Sequence, residues 1–264
     1  MDLGLRGKTA VVSGSTAGIG LAIATALATE GASVVINGRT EARVQSALER
    51  IRAVASGARA RGVAADLGTI AGVETFVNAV PEADVVVNNL GIFEVKAFAD
   101  ITDEDWLRFF EVNVLSGVRL ARCYLAGMRH QNWGRMIFIS SESAVNIPVE
   151  MIHYGMTKTA QLAVARGLAE SVAGTGITVN SILVGPTRSE GVGNFLRDIA
   201  HQQQMTTAQV EKEFFQKVRP SSLLRRFEKP EEVAAVVTFV ASQQGAILNG
   251  AALRAEGGVV RSVV

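Results

Sequence analysis

Short runs rich in valine and isoleucine recur along the chain, and longer segments with helical periodicity separate them. Near-continuous apolar strands that alternate with helices predict a parallel sheet covered by helices on both faces. The sequence therefore predicts an α/β fold built on a doubly wound parallel sheet. The predicted strands are residues 8–14, 32–38, 60–66, 83–89, 135–141 and 176–183.

A length of 264 residues, 48% of them hydrophobic, predicts a single domain, 1–264, with a sizeable core. The polar segment 187–228 interrupts the alternation and predicts one or two small helices instead of a strand. It follows the sixth predicted strand, at the carboxyl end where ligands bind in open α/β sheets. We therefore expect a substrate lid at 187–228; the alternative is a helical packing or oligomer-contact element.

The charge balance and the apolar runs exclude several classes of protein. Lys and Arg number 26 against 25 Asp and Glu, which leaves no basic excess for nucleic acid. No long apolar run precedes Gly14, and the longest run, 233–241, is far shorter than the roughly 20 residues of a spanning helix. No other metal-ligating residues lie at a suitable spacing from His130 or His201 in the sequence. We expect a cytoplasmic protein without a metal site, a membrane span or a nucleic-acid partner.

Three glycines, Gly14, Gly18 and Gly20, follow the first predicted strand and lead into a helix. Glycine lets the backbone turn tightly and approach a ligand closely, and a helix N-terminus favours a phosphate group. The position of this turn between a strand and a helix predicts a site for a dinucleotide pyrophosphate.

Tyr154 and Lys158 are four positions apart, which places both side chains on one face of a helix. Ser141 ends the fifth predicted strand thirteen residues before Tyr154, and Asn113 lies in the preceding predicted helix. Together with the turn SGSTAGIG (13–20), this order and spacing resembles the short-chain dehydrogenase/reductase family and its TGxxxGIG and YxxxK motifs.

The resemblance extends from about residue 5 to the C-terminus and includes GPT (185–187) and EGG (256–258). It implies a Rossmann fold of about seven strands with helices on both faces. It also implies an NAD(P)-dependent oxidoreductase that acts on CH–OH and C=O groups.

Asn113, Ser141, Tyr154 and Lys158 are residue types that suit the reduction of a carbonyl group. A tyrosine hydroxyl can donate a proton to a carbonyl oxygen, and a nearby ammonium would lower its pKa from about 10 toward working pH. The Ser141 hydroxyl can donate to the substrate oxygen as negative charge develops there. The resemblance implies that Lys158 also binds the nicotinamide ribose and that Asn113 holds a water that relays protons to Lys158. Tyr154 would act as the base in alcohol oxidation.

The resemblance also implies a set of cofactor-binding residues. Asp66 matches the position that contacts adenine, and the sequence Asn88–Gly91 matches the family's NNAG segment with Leu90 in place of alanine. Leu90 either changes the fit of the cofactor or points into the substrate site. The residues expected to bind the cofactor are Gly14, Ser15, Thr16, Gly18, Ile19, Gly20, Arg39, Asp66, Leu67, Asn89, Gly91, Tyr154, Lys158, Pro186 and Thr187.

The end of the second predicted strand bears on the choice of nicotinamide cofactor. Members that prefer NAD commonly have Asp where this chain has Gly38, and Arg39 follows directly. An Asp would repel the 2′-phosphate of NADP, whereas an Arg can pair with it. We expect a preference for NADP(H), with NAD(H) possible; the alternative is that Arg39 is only a solvated surface charge.

The expected activity is reversible reduction of a ketone or aldehyde with NADPH. A narrower alternative is a 3-oxoacyl thioester reductase, and an alternative of another class is a non-catalytic NADP(H)-binding sensor or scaffold. Glu142 either lines the substrate pocket or lies at the surface. The resemblance implies a homotetramer, or a dimer, formed through the helices around 102–130 and 151–174 and the C-terminal strand. Apolar residues that line either a pocket or the core are Phe93, Val95, Met151, Phe195, Phe214 and Phe215.

Overall fold

The computed structural model describes residues 2–263, apart from the side chains of residues 194, 195, 198 and 199. Its centre is a sheet of seven strands in the order β3-β2-β1-β4-β5-β6-β7, and every neighbouring pair is parallel. The prediction of a doubly wound parallel sheet is confirmed. The strands are β1 Thr9–Val12, β2 Ser33–Gly38, β3 Ala60–Ala64, β4 Val85–Asn88, β5 Gly134–Ser141, β6 Ile177–Val184 and β7 Ala252–Ala255.

Helices cover both faces of the sheet. The side chains of each inner strand alternate between two cores: Val12 packs with the first and Val11 with the second. The helices are α1 Gly18–Thr29, α2 Glu41–Val54, α3 Ile70–Ala79, α4 Asp103–Phe110, α5 Ser116–His130, α6 Ile152–Ser171, α7 Glu190–Gln202, α8 Thr207–Glu213 and α9 Pro230–Ala241. Helices α1, α2 and α9 complete the first core, whereas α3, α5 and α6 complete the second.

Local sequence explains several helix ends. The Thr40 and Thr69 side chains accept a hydrogen bond from the first turns of α2 and α3, and Thr102 forms a reciprocal capping box with Asp105 at α4. A π-helical turn, Glu111–Leu115, separates α4 from α5 within the predicted segment 102–130. Such turns are rare and frequently lie at functional sites.

The segment 187–228 is helical, as predicted, and has a small apolar core of its own. Phe215 and Phe227 are buried in that core, and Phe214 packs against them. Phe214 and Phe215 therefore contribute to the core of this segment. The side chain of Phe195 lies outside the described residues.

The two ends of the segment meet beside the sheet. The Glu228 backbone N–H donates to the Pro186 carbonyl at 2.8 Å, and the Arg188 N–H donates to the Glu228 carbonyl at 2.8 Å. This pairing fixes the base of the segment at the carboxyl end of β6. Within residues 2–263, no helix combines the length and apolarity needed to cross a membrane.

Candidate active site

The structure brings Ser141, Tyr154 and Lys158 together at the carboxyl edge of the sheet. Ser141 is the last residue of β5, and α6 carries Tyr154 and Lys158 one turn apart. A hydrogen bond joins the Tyr154 and Ser141 side chains. The Lys158 Nζ lies 5.6 Å from the centre of the Tyr154 ring.

Lys158 is almost completely buried, with 4% of its surface exposed. Its Nζ donates to the Ile139 carbonyl at 2.9 Å and to the Gln161 Oε1 at 3.3 Å. Burial disfavours the charged form of an amine and lowers the pKa of Lys158 to about 8. This lysine can therefore change its charge near neutral pH.

Burial has the opposite effect on Tyr154, because the charged form of a phenol is the deprotonated one. Desolvation raises the pKa of Tyr154 to about 12, and the Glu142 charge adds to the rise. The bond to Ser141 and the Arg219 charge oppose it. The net shift is therefore opposite to the lowering of the Tyr154 pKa that was expected from Lys158, since motif spacing carries no information on desolvation.

Asn113 lies in the π-helical turn and holds the chain that follows β4. Its Oδ1 accepts from the Ile92 N–H at 2.7 Å, and its Nδ2 donates to the Ile92 carbonyl and to the Thr157 Oγ1, both at 3.0 Å. The backbone carbonyl of Asn113 accepts from the Gln161 Nε2 at 2.6 Å. The side chain is thus a brace between this chain and α6.

The glycine turn after β1 has the geometry of a phosphate cradle. Gly14 and Gly18 have φ angles of +59° and +54°, which favour glycine. A Cβ on Gly20 would lie 2.5 Å from the Asn89 Nδ2 and 2.6 Å from the Gly14 carbonyl oxygen. Helix α1 has Ala17 at its N-cap, without a side-chain cap or an acidic residue in the first turn. Its leading N–H groups can therefore serve an anionic ligand.

The comparison with known families agrees with this geometry. Residues 8–200 match the family described as short chain dehydrogenase. The chain belongs to the short-chain dehydrogenase family. It is an oxidoreductase by membership, and the resemblance drawn from the turn and the Tyr154–Lys158 pair is confirmed.

Relatives of this dehydrogenase cover its full length. It is 48% identical to the oxidoreductase YvaG of Bacillus subtilis (strain 168), over 100% of both chains. It is 32% identical to the 3-oxoacyl-(acyl-carrier-protein) reductase of Aquifex aeolicus (strain VF5), over 98% of this chain and 100% of that one. The crystal structure of L-sorbose reductase from Gluconobacter frateurii, complexed with NADPH and L-sorbose, matches with a TM-score of 0.93 and 32% identity over 100% of both chains.

Two residues expected to bind the cofactor face the interior of the dehydrogenase instead. Ser15 is completely buried: its hydroxyl donates to the Val12 carbonyl, and its N–H donates to the Asn37 carbonyl. Leu67 is 1% exposed and packs in the second core. These two side chains therefore pack and brace the turn and the sheet. Contact of the cofactor with the backbone of Ser15 and Leu67 stays a prediction.

Asn89 and Leu90 both support the glycine turn. The Asn89 Nδ2 donates to the carbonyls of Ser13 and Gly14, each at 3.0 Å. Leu90 lies against Gly14, where a Cβ would be 3.4 Å from the Leu90 Cδ1. Of the two alternatives for Leu90, the structure favours contact with the cofactor turn. A Cβ on Gly91 would lie 3.5 Å from both the Asn113 Oδ1 and the Lys158 Nζ.

The end of β2 has no room for an added side chain at Gly38. A Cβ on Gly38 would lie 2.4 Å from the methyl group of Thr16, so an Asp at position 38 would displace Thr16. Arg39, which follows Gly38 directly, is exposed. Asp66 is also exposed, and its Oδ1 accepts from the Gly68 N–H at 3.0 Å.

The remaining expected residues lie around the same edge. Thr187 is buried, and its hydroxyl donates to the Gly185 carbonyl at 3.0 Å. Ile19 and Pro186 are partly buried. Phe93 is 53% exposed and places its ring edge-to-face with Tyr154, 6.4 Å between centres. It is the predicted pocket residue that the structure places in contact with Tyr154.

Sequence reasoning missed a buried ion pair directly behind Ser141. Glu142 is 3% exposed, and its Oε1 accepts from the Arg219 Nε at 2.8 Å. The Arg219 Nη1 also reaches the Glu150 Oε1 at 3.3 Å. Burial raises the pKa of Glu142, and Arg219 opposes that rise. Glu142 is therefore not a surface residue: it anchors the segment 187–228 to the chain after Ser141.

Proposed function

We propose that this protein is an NADP(H)-dependent oxidoreductase that moves a hydride between the nicotinamide and a carbonyl or secondary alcohol. The observation that carries the proposal is the convergence of Ser141, Tyr154 and Lys158 at the carboxyl edge of the sheet, next to the glycine turn. Bound NADPH would supply the hydride to the carbonyl carbon.

Each protein group has a role that its position supports. The Tyr154 hydroxyl donates the proton to the substrate oxygen, and in alcohol oxidation it accepts that proton. The Ser141 hydroxyl donates a hydrogen bond to the same oxygen while negative charge develops on it. The Lys158 ammonium stabilises the tyrosinate and holds the nicotinamide ribose. The two hydroxyl donors together polarise the carbonyl bond of the substrate.

The cofactor would lie along the residues that ring this edge. The α1 N–H groups and the glycines receive the pyrophosphate, Arg39 pairs with the 2′-phosphate, and Asp66 accepts from the adenine amino group. Support for NADP(H) over NAD(H) comes from Gly38 and Arg39, and from the L-sorbose reductase that was crystallised with NADPH.

Arg39→Ala tests the choice of cofactor. We expect the KM for NADPH to rise roughly 10- to 100-fold, because a charge-assisted contact to the 2′-phosphate is lost. The KM for NADH should change less than twofold, since NADH has no phosphate at that position. Steady-state kinetics with both cofactors decide the point. An unchanged KM for NADPH would make Arg39 a solvated surface charge.

A panel of substrates tests the proposed reaction. NADPH absorbance is followed with ketones, aldehydes, 1,2-diketones, 3-oxo esters, L-sorbose and a 3-oxoacyl thioester. The Aquifex relative supports the thioester as a second candidate, and preferential turnover of the thioester would establish it. Turnover of a simple carbonyl supports the broader proposal. NADPH binding without turnover of any member would favour a cofactor-binding sensor or scaffold.

We propose that the segment 187–228 closes over the bound ligands. Ser189, at its start, lies over the glycine turn, 3.2 Å from the place of a Cβ on Gly18. Arg219, near its end, reaches Glu142 behind Ser141. Both ends of the segment thus flank the proposed path from cofactor to substrate.

We also propose that the protein assembles as a homotetramer, or as a dimer. Leu107 on α4 is 70% exposed, Val263 near the C-terminus is 97% exposed, and β7 is the edge strand of the sheet. An assembly would be stabilised if it buried these apolar side chains and paired the free edge of β7. Light scattering at micromolar concentration should give a multiple of the 27.9 kDa chain mass, and a monomer would contradict the proposal.

A further inference from the structure

The Gln161 side chain lies buried between the lysine of the site and the π-helical turn. It is 2% exposed and follows Lys158 by three positions on the same face of α6. Its Oε1 accepts from the Lys158 Nζ at 3.3 Å, and its Nε2 donates to the Asn113 carbonyl at 2.6 Å. One amide thus joins these two residues directly.

The orientation of this amide follows from the chemistry of its partners. An ammonium can only donate, so it requires the amide oxygen, and a backbone carbonyl can only accept, so it requires the amide nitrogen. A flipped amide would lose both bonds inside a buried site. The observed bridge is therefore the arrangement in which all four groups are paired.

We infer that Gln161 is a positioning residue that ties the Lys158 ammonium to the Asn113 backbone and takes the place of a bridging water. The Gln161 amide would then form the link between Asn113 and Lys158 that the family resemblance assigns to a water. The contribution of Gln161 to turnover rests on the proposed function, whereas its effect on Lys158 can be measured without any substrate.

The sign of that effect follows from the hydrogen bond. A carbonyl oxygen that accepts from an ammonium favours the charged form and raises the pKa of the lysine. Burial lowers the same pKa to about 8. Gln161 therefore opposes the effect of burial and keeps Lys158 positively charged to a higher pH.

Three variants separate this bridge from ordinary packing. Gln161→Leu keeps the bulk and removes both polar groups. Gln161→Ala removes the bulk and leaves a polar space in which a water can reach the Asn113 carbonyl and the Lys158 Nζ. Thr157→Val is the matched control, because it removes a bond to Asn113 from the same helix without touching the bridge.

The readout is an NMR titration of the lysine side chains in the full-length protein. The chain has six lysines, and the loss of one signal in Lys158→Met identifies the resonance of Lys158. We expect Gln161→Leu to lower the pKa of Lys158 by about one unit. Gln161→Ala should lower it by less than half as much, and Thr157→Val should leave it unchanged.

A packing role predicts the reverse ranking. If Gln161 only fills space, Gln161→Leu keeps the pKa of Lys158 within a few tenths of the native value, and this result would overturn the inference. If Gln161→Ala lowers the pKa of Lys158 as much as Gln161→Leu does, a water does not substitute for the amide. That result would overturn the inference that Gln161 takes the place of a water. NADPH turnover of an active panel substrate should fall further in Gln161→Leu than in Gln161→Ala. If every panel member is inert, the titration still decides the role of Gln161.

Discussion

Tyr154→Phe should lower kcat for carbonyl reduction by about 10²- to 10⁴-fold, because the substrate oxygen loses its proton donor. The ring of the variant can keep its edge-to-face contact with Phe93, 6.4 Å between centres. The side chain loses one hydroxyl and its bond to Ser141. Binding of NADPH, measured by fluorescence titration, should therefore change by no more than a few-fold.

The other tyrosine of the chain provides a matched control. Tyr124 is 2% exposed, and its hydroxyl donates to the Val80 carbonyl at 2.7 Å, on the α3–α5 side of the sheet. Tyr124→Phe leaves that buried carbonyl without its donor and should reduce the free energy of unfolding by about 1–3 kcal/mol. Its kcat should stay within about twofold of the native value.

The comparison of the two variants separates chemistry from folding. A large loss of kcat in Tyr154→Phe alone supports proton transfer by Tyr154. Equal losses in both variants would point to a general structural effect. Full activity in Tyr154→Phe would refute the proposed mechanism, because no other phenol lies beside Ser141 in the described residues.

The sheet could be predicted because its inner strands are buried on both faces and therefore appear as apolar runs. Strand β5, with all eight residues buried, has such a run. Strand β7 is a half-exposed edge strand of four residues, ALRA, and no apolar run marks it. It followed only from the resemblance to a family with about seven strands.

The four spaced residues could be predicted because their order along the chain reflects fixed positions on β5, α6 and the helix before β5. Properties that depend on the whole fold could not be predicted from the sequence. Desolvation sets the pKa of Tyr154, and Glu142 meets Arg219 across 77 positions. Gln161 left a weak signal, a polar residue within the apolar sequence of α6 one turn after Lys158.

Arg219→Met should strongly destabilise the protein at neutral pH. The Arg219 and Glu142 side chains are only 8% and 4% exposed, so the variant leaves a carboxylate buried without its cation. Removing one partner of a buried pair costs about 3–5 kcal/mol of unfolding free energy. Urea unfolding at pH 7 measures the loss, and Glu142→Gln in the same chain should recover part of it.

The loss should shrink in acid. Burial already raises the pKa of Glu142 above its ordinary value, and without Arg219 the pKa rises further. The folded variant then binds a proton more tightly than the unfolded chain, so its stability increases as the pH falls toward the unfolded pKa. The difference between native and variant unfolding free energies should therefore be smaller at pH 5 than at pH 7.

Arg226→Met is the matched control, because Arg226 and Glu232 form a pair at 2.7 Å in which both side chains are 43% exposed. Water replaces the lost partner there, so the expected cost is below about 1 kcal/mol. If Arg219→Met costs no more than Arg226→Met, the buried pair does not anchor the segment 187–228. A large, pH-dependent cost confined to Arg219→Met means that this anchor and the position of Ser141 are stabilised together, since Glu142 follows Ser141 directly in the chain.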